Sequence, residues 1–295
     1  MKKIFSLVLL VVLLIPRDSK ACDICGCGVS NYNPFLFPHL TRSYVSVSYI
    51  HRSYVTYSDG IRAGKENYNT VLLSGQYSIS KKLRLLATIP YQLNRLSNEN
   101  GRTNRNGVGD VSVLANYQML DKSTGPFRHS VTVGAGIKLP TGKHIVPKTE
   151  TLDDQNFQLG TGSVDNLLNA AYRITYKNWM VAAATSYKYN TANKSGYRYG
   201  DILTNGISVI YRIDKSKYSF APYLQVINET QMKDAKEHAL QPASGGNVVY
   251  TGAGVDMTTR KFTTGINFQN APVQDLAQGQ IGVKPRLTVH LAFNL

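Results

Sequence analysis

All three cysteines fall in one short stretch, Cys22-Asp23-Ile24-Cys25-Gly26-Cys27-Gly28. The C-x2-C-x-C spacing brings three thiolates within reach of one soft ion, and the two glycines let the backbone fold around it. Cu(I) suits such a site; Zn2+ needs a fourth ligand, for which His39 is a distant candidate. The odd count equally permits one disulfide with a free thiol. If the chain is cut after Ala21, Cys22 leads the mature protein and lipid attachment becomes a third fate. Ser19 and Lys20 then stand where a lipoprotein signal normally has an aliphatic and a small residue. Elsewhere, His51-Arg52-Ser53 sets a base and a nucleophile two residues apart, a pairing that acyl transfer uses. No carboxylate or amide to orient the imidazole can be named from the sequence.

What these residues can do depends on the elements that hold them. Met1-Lys2-Lys3, an apolar run from Ile4 to Ile15 and the polar Arg17-Asp18-Ser19-Lys20-Ala21 describe a secretory signal peptide. The run is shorter than the ~20 residues a spanning helix needs. The expected organisation is a signal peptide over 1–21, a cysteine-rich periplasmic segment over 22–41 and an outer-membrane β-barrel over 42–295. Formal charge is +15, of which the signal peptide carries +3 (Lys2, Lys3, Arg17 and Lys20 against Asp18), leaving +12 on the mature chain. Export and the scatter of the basic residues argue against nucleic acid and for anionic lipid headgroups or an anion-favouring lumen.

From Arg42 onward the chain reads as twelve short alternating segments, beginning near residues 42, 68, 83, 108, 129, 164, 179, 201, 218, 248, 262 and 286. Each is about the 9–11 residues that a tilted strand needs to cross a bilayer. Val71, Leu73, Tyr77 and Ile79 oppose Thr70, Ser74, Gln76 and Ser78; Val131, Val133 and Ile137 oppose Ser130, Thr132 and Lys138. A soluble sandwich also alternates, but here short connections such as Ser80-Lys81-Lys82, Lys177-Asn178 and Thr259-Arg260-Lys261 alternate with long ones. That rhythm belongs to membrane barrels with short periplasmic turns and long outer loops. Tyr44, Tyr77, Tyr117, Tyr176, Trp179, Tyr211 and Tyr218 fall at one set of strand ends, and Tyr54, Tyr68, Tyr91 and Tyr189 near the other, as two interfacial bands would. The long 230–247 loop carries Met232 to Leu240, a stretch expected to form one or two helical turns. The final strand, Leu287 to Leu295, resembles the signal read by the barrel-assembly machinery, with Leu295 in place of the usual aromatic end. The expected fold is all-β: a transmembrane antiparallel up-and-down barrel of about twelve strands, both termini periplasmic.

Parity assigns Arg84, Lys138, Arg173, Lys188, Arg212, Arg286 and His290 to the lumen, with Asp110, Asp165 and Asp256 among them. A basic-leaning bore of mixed charge suits a channel for small solutes or ions, in contact with outer-membrane lipids and linked to a metal if the cysteines bind one. Two alternatives stand. One is a barrel closed by internal salt bridges, serving structure or adhesion through its loops. The other is a lipid hydrolase built on His51 and Ser53; the Asn-Gly that follows the serine in outer-membrane phospholipases is replaced by Tyr54-Val55. The primary reading is not an enzyme.

Gly107-Val108-Gly109-Asp110-Val111, Ile137-Lys138-Leu139-Pro140-Thr141-Gly142 and Leu159-Gly160-Thr161-Gly162-Ser163-Val164-Asp165 follow in this order. Together they resemble the outer-membrane transporter-like barrels of the meta-pathway phenol degradation family, over residues 68–295. The resemblance implies a barrel for small-molecule passage. The cysteine-led start is similar to Bacteroidetes-like exported barrels.

Overall fold

A computed structural model describes residues 42–58, 60–98, 101–145 and 157–295. The signal peptide, the 22–41 segment and every reading of Cys22, Cys25 and Cys27 lie outside the described residues.

Twelve strands form the wall: β1 Tyr44–Ser58, β2 Ile61–Ser78, β3 Leu83–Asn98, β4 Val111–Thr124, β5 Phe127–Leu139, β6 Asp165–Tyr176, β7 Trp179–Tyr189, β8 Ile202–Tyr211, β9 Tyr218–Gln231, β10 Gly246–Thr259, β11 Phe262–Leu276 and β12 Arg286–Asn294. Chain neighbours pair antiparallel, and β12 returns to β1 from Tyr44↔Asn294 to His51↔Leu287, closing the barrel. Closure is what makes the sheet viable in hydrocarbon, because no backbone N–H or C=O is left on an edge. Along β1, Val45, Val47 and Tyr49 are exposed while Ser46, Ser48 and Ile50 are buried, so the apolar rank faces outward and the polar rank faces the bore.

Connections of six residues or fewer join the strand pairs β2–β3, β4–β5, β6–β7, β8–β9 and β10–β11 at one end of the barrel. There Tyr77, Tyr117, Tyr176, Trp179 and Tyr218 are exposed on the outside. Phe127 stacks on Tyr176 at 4.9 Å and Trp179 packs on Tyr211 at 4.7 Å. Tyr91 and Tyr189 are exposed near the opposite end. Tyr44, Tyr54 and Tyr68 correct the sequence reading: they share parity with Ser46, Ser48 and Thr70 and are buried inside.

Three boundaries also differ from expectation. β2 begins at Ile61, not near 68, so β1 and β2 form a tall hairpin with Gly60 at its tip, φ +77°. An additional strand, Gly101–Val108, folds back along β3, and β4 starts only at Val111. The Met232–Leu240 stretch is not helical but carries two-residue strands, Ala235–Lys236 and Ala239–Leu240. Ala235–Lys236 pairs with both Ala239–Leu240 and Tyr197–Arg198.

Candidate functional site in the barrel interior

The three glycine-rich motifs meet at one place. Register puts Lys138 opposite both Ser112 and Asp165 on the inner wall, and Asp110 lies just before β4. Lys138 Nζ is 2.6 Å from Asp110 Oδ2 and 2.9 Å from Asp165 Oδ2, and it also donates to the Thr161 hydroxyl and the Ser163 carbonyl. Asp110 accepts from the Gly142 and Thr161 amides, both at 2.9 Å. Asp165 accepts from the Ser163 hydroxyl at 2.9 Å and the Thr191 amide at 3.1 Å. A buried cation between two carboxylates is tolerable only because nearly every lone pair is used.

This network pins the 157–163 segment against the inside of the wall. A Cβ on Gly142 would lie 2.7 Å from the Leu159 carbonyl, and one on Gly160 would strike the Asp110 carboxylate. The motif glycines therefore permit two backbones to touch, rather than merely turning the chain at the rim. Gln92 donates to the Leu159 carbonyl at 3.0 Å, and Arg105 donates to the Phe157 carbonyl. The Phe157 ring lies 6.1 Å from Tyr68, which is 5.7 Å from Tyr54, in an apolar cluster with Ile227, Val248 and Tyr250. Beside it the Arg286 guanidinium grips Glu229 at 3.0 and 3.3 Å and lies 4.2 Å from the Tyr250 ring centre.

The short-turn end is different in kind. A cavity of about 640 Å3 opens there, lined by Arg42, Lys81, Arg84, Arg128, Arg173 and Arg212 against one side-chain carboxylate, Asp121. Asp121 is taken up by a bidentate bond from Arg128 at 2.7 and 2.8 Å. Arg42, Lys81, Arg84 and Arg173 add further positive charge, while Arg212 is taken up by Asp214 at the mouth, and low-dielectric walls concentrate the resulting field.

The family model described as "Putative MetA-pathway of phenol degradation" matches residues 54–279. The chain belongs to this family. Among solved structures, this phenol-degradation family barrel is similar to an outer membrane channel from Pseudomonas putida F1, with a TM-score of 0.66 at 16% identity, over 90% of this chain and all of that one (100%). It is also similar to the β domain of the Bordetella autotransporter BrkA, with a TM-score of 0.51 at 11% identity, over 86% and 100%. At such identities the likeness is one of fold, that of outer-membrane barrels. A search of curated protein sequences finds no match.

In the family barrel the sequence-derived lumen residues separate into five groups. Asp110, Lys138 and Asp165 come together at the motif network. Arg84 and Arg173 line the vestibule, and Arg212 lies beyond the end of β8, exposed at its mouth and paired with Asp214 at 2.7 Å. His290 and Asp256 are neighbours inside the wall, Nε2 to Oδ1 3.3 Å. Arg286 pairs with Glu229, while Lys188 is buried close enough to loop residue Asp234 to act on its carboxylate. Sequence reading missed Arg52 and Glu229, although parity with Ser48 and Gln225 places both inside. Phe157 and Thr161 gave no such signal, because a long loop has no period.

His51 and Ser53 do not pair. The imidazole Nδ1 is 2.6 Å from the Asn69 amide oxygen, and the Ser53 hydroxyl is buried without a hydrogen-bond partner. Among the described residues no group of three His, Cys, Asp or Glu side chains is placed to hold a metal.

Proposed function

We propose that the protein is an outer-membrane channel that passes small solutes and favours anions. The vestibule carries the reading: Arg42, Lys81, Arg84 and Arg173, beyond the Arg128–Asp121 and Arg212–Asp214 pairs, line a cavity of about 640 Å3 at the short-turn end. The similarity to an outer membrane channel from Pseudomonas putida supports it. In the orientation usual for such barrels the short turns lie in the periplasm and the long loops outside, so solutes entering from outside meet the 157–163 segment first. That segment, pinned by Lys138, is the constriction; the arginines below it draw anions through. Cu(I) or Zn2+ held by Cys22, Cys25 and Cys27 would link the channel to a metal.

The test is the reversal potential of the mature protein in planar bilayers under a KCl gradient. An anion-selective potential that collapses or inverts in the Arg84→Glu/Arg173→Glu double variant supports the reading. Cation selectivity in the unaltered protein, or no conductance at all, overturns it.

A further inference from the structure

Strand register fixes ranks of outward-facing side chains at the long-loop end of β1, β2, β3 and the Gly101–Val108 strand. Tyr49, Val71, Tyr91 and Val108 stand side by side and continue the apolar belt. One rank further from the belt come His51, Asn69, Leu93 and Asn106, then Ser53, Asn67, Arg95 and Asn104, then Val55, Lys65, Ser97 and Arg102. Directly opposed residues share a face, so amides and then cations join exposed Leu93 and buried Ser53 and Val55 on this side of the wall. A cavity of about 400 Å3 opens over the amide ranks.

The side chains are already organised. Asn69 Oδ1 meets both the His51 ring, at 2.6 Å, and the Tyr49 hydroxyl, at 2.9 Å. Arg95 spends Nε on Asn104 at 3.2 Å, which leaves its terminal amino groups for a ligand. Amides offer paired donors and acceptors to sugar hydroxyls, while guanidinium and ammonium groups take phosphate. The rank of Tyr49 and Tyr91 marks the membrane interface, where aromatic residues settle, so the amides and cations lie at headgroup depth.

We propose that this patch binds the phosphorylated sugar headgroup of an outer-leaflet glycolipid. The proposal rests on the reading that the long loops face the cell exterior. The experiment titrates the mature protein in micelles with lipopolysaccharide, with phosphatidylglycerol and with soluble glucosamine 1-phosphate. Heat-modifiable gel mobility shows that each variant is folded. Saturable lipopolysaccharide binding is expected, weakened about tenfold by Arg95→Ala, the loss of a charged hydrogen bond, and further by Asn69→Ala/Asn104→Ala. Asn205→Ala, elsewhere on the outer wall, should leave it unchanged. Equal binding by the Arg95 variant and the parent, or equal affinity for phosphatidylglycerol, overturns the proposal. Equal affinity for the free sugar phosphate overturns the glycolipid as the source. An epitope inserted at Gly60 and read on intact cells tests the orientation separately. Absence of staining removes both readings, whereas staining without micelle binding removes this one alone.

Discussion

Lys138 holds two buried carboxylates apart, and its removal tests what the motif network does. In Lys138→Met, Asp110 and Asp165 keep their burial and lose their shared cation, a change worth about 3–5 kcal/mol when one partner of a buried pair is deleted. The barrel ladder does not depend on that residue, so the loss should be local. Limited proteolysis of folded protein is expected to cut within residues 157–164 in the variant and to spare that stretch in the parent. Equal resistance in both would show that the loop is held by Phe157 and Arg105 instead. The three charged members of this network were legible from parity, because a strand of period two assigns every residue to one side. Thr161 and Ser163 were seen only as parts of a motif. What they do, lending hydroxyls to Lys138 and Asp165, depends on a loop path that no local pattern encodes.

Among the elements, the inward 157–163 segment and the 232–245 loop carry separate predictions. Phe157→Ala removes the ring packed against Tyr68, and single-channel conductance is expected to rise. An unchanged conductance would place the narrowest point elsewhere. Asp234 lies in the second loop, where burial pushes its carboxyl up to about 6 against hydrogen bonds from Tyr197, Gly200 and Gln231. A raised carboxyl favours the folded loop below the unfolded value near 3.8 and loses that advantage as pH climbs through about 6. Hydrogen-exchange protection of the Gly200 amide, corrected for intrinsic rate, should therefore be greater at pH 5 than at pH 7.5, by roughly 1 kcal/mol of local stability. The opposite order would mean that the hydrogen bonds to the carboxylate outweigh its desolvation. Twelve strands were legible because lipid on one side and a polar bore on the other enforce alternation. The early start of β2 was not, because Arg62 to Asn67 rise beyond the belt, where neither face must be apolar. Met232 to Leu240 has helical spacing but too few residues to offset the cost of a helix nucleus.

For the molecule as a whole, selectivity follows from an unbalanced field rather than from any one contact. Anion preference should therefore fall as bath salt rises from 0.1 to 1 M, the Debye length shrinking from about 10 to about 3 Å. A preference independent of salt would point to a tight site in place of a field. The resemblance to the phenol-degradation family extended over most of the chain in sequence. The cationic vestibule was only partly visible, since Arg42, Lys81 and Arg128 come from strand ends and turns that no lumen parity assigns. The pairing of β12 with β1 has a consequence of another sort. Every other seam in the ring joins segments adjacent along the chain, and can zip as a local hairpin. The last one joins Tyr44 to Asn294, about 250 residues apart, across only eight registered pairs beside the short Ile281–Val283 strand. Folding of this protein is thus a search problem with one late step. Until that closing seam finds its register, eleven finished pairings leave two bare edges in the bilayer, and anything that holds the ends together sets the pace.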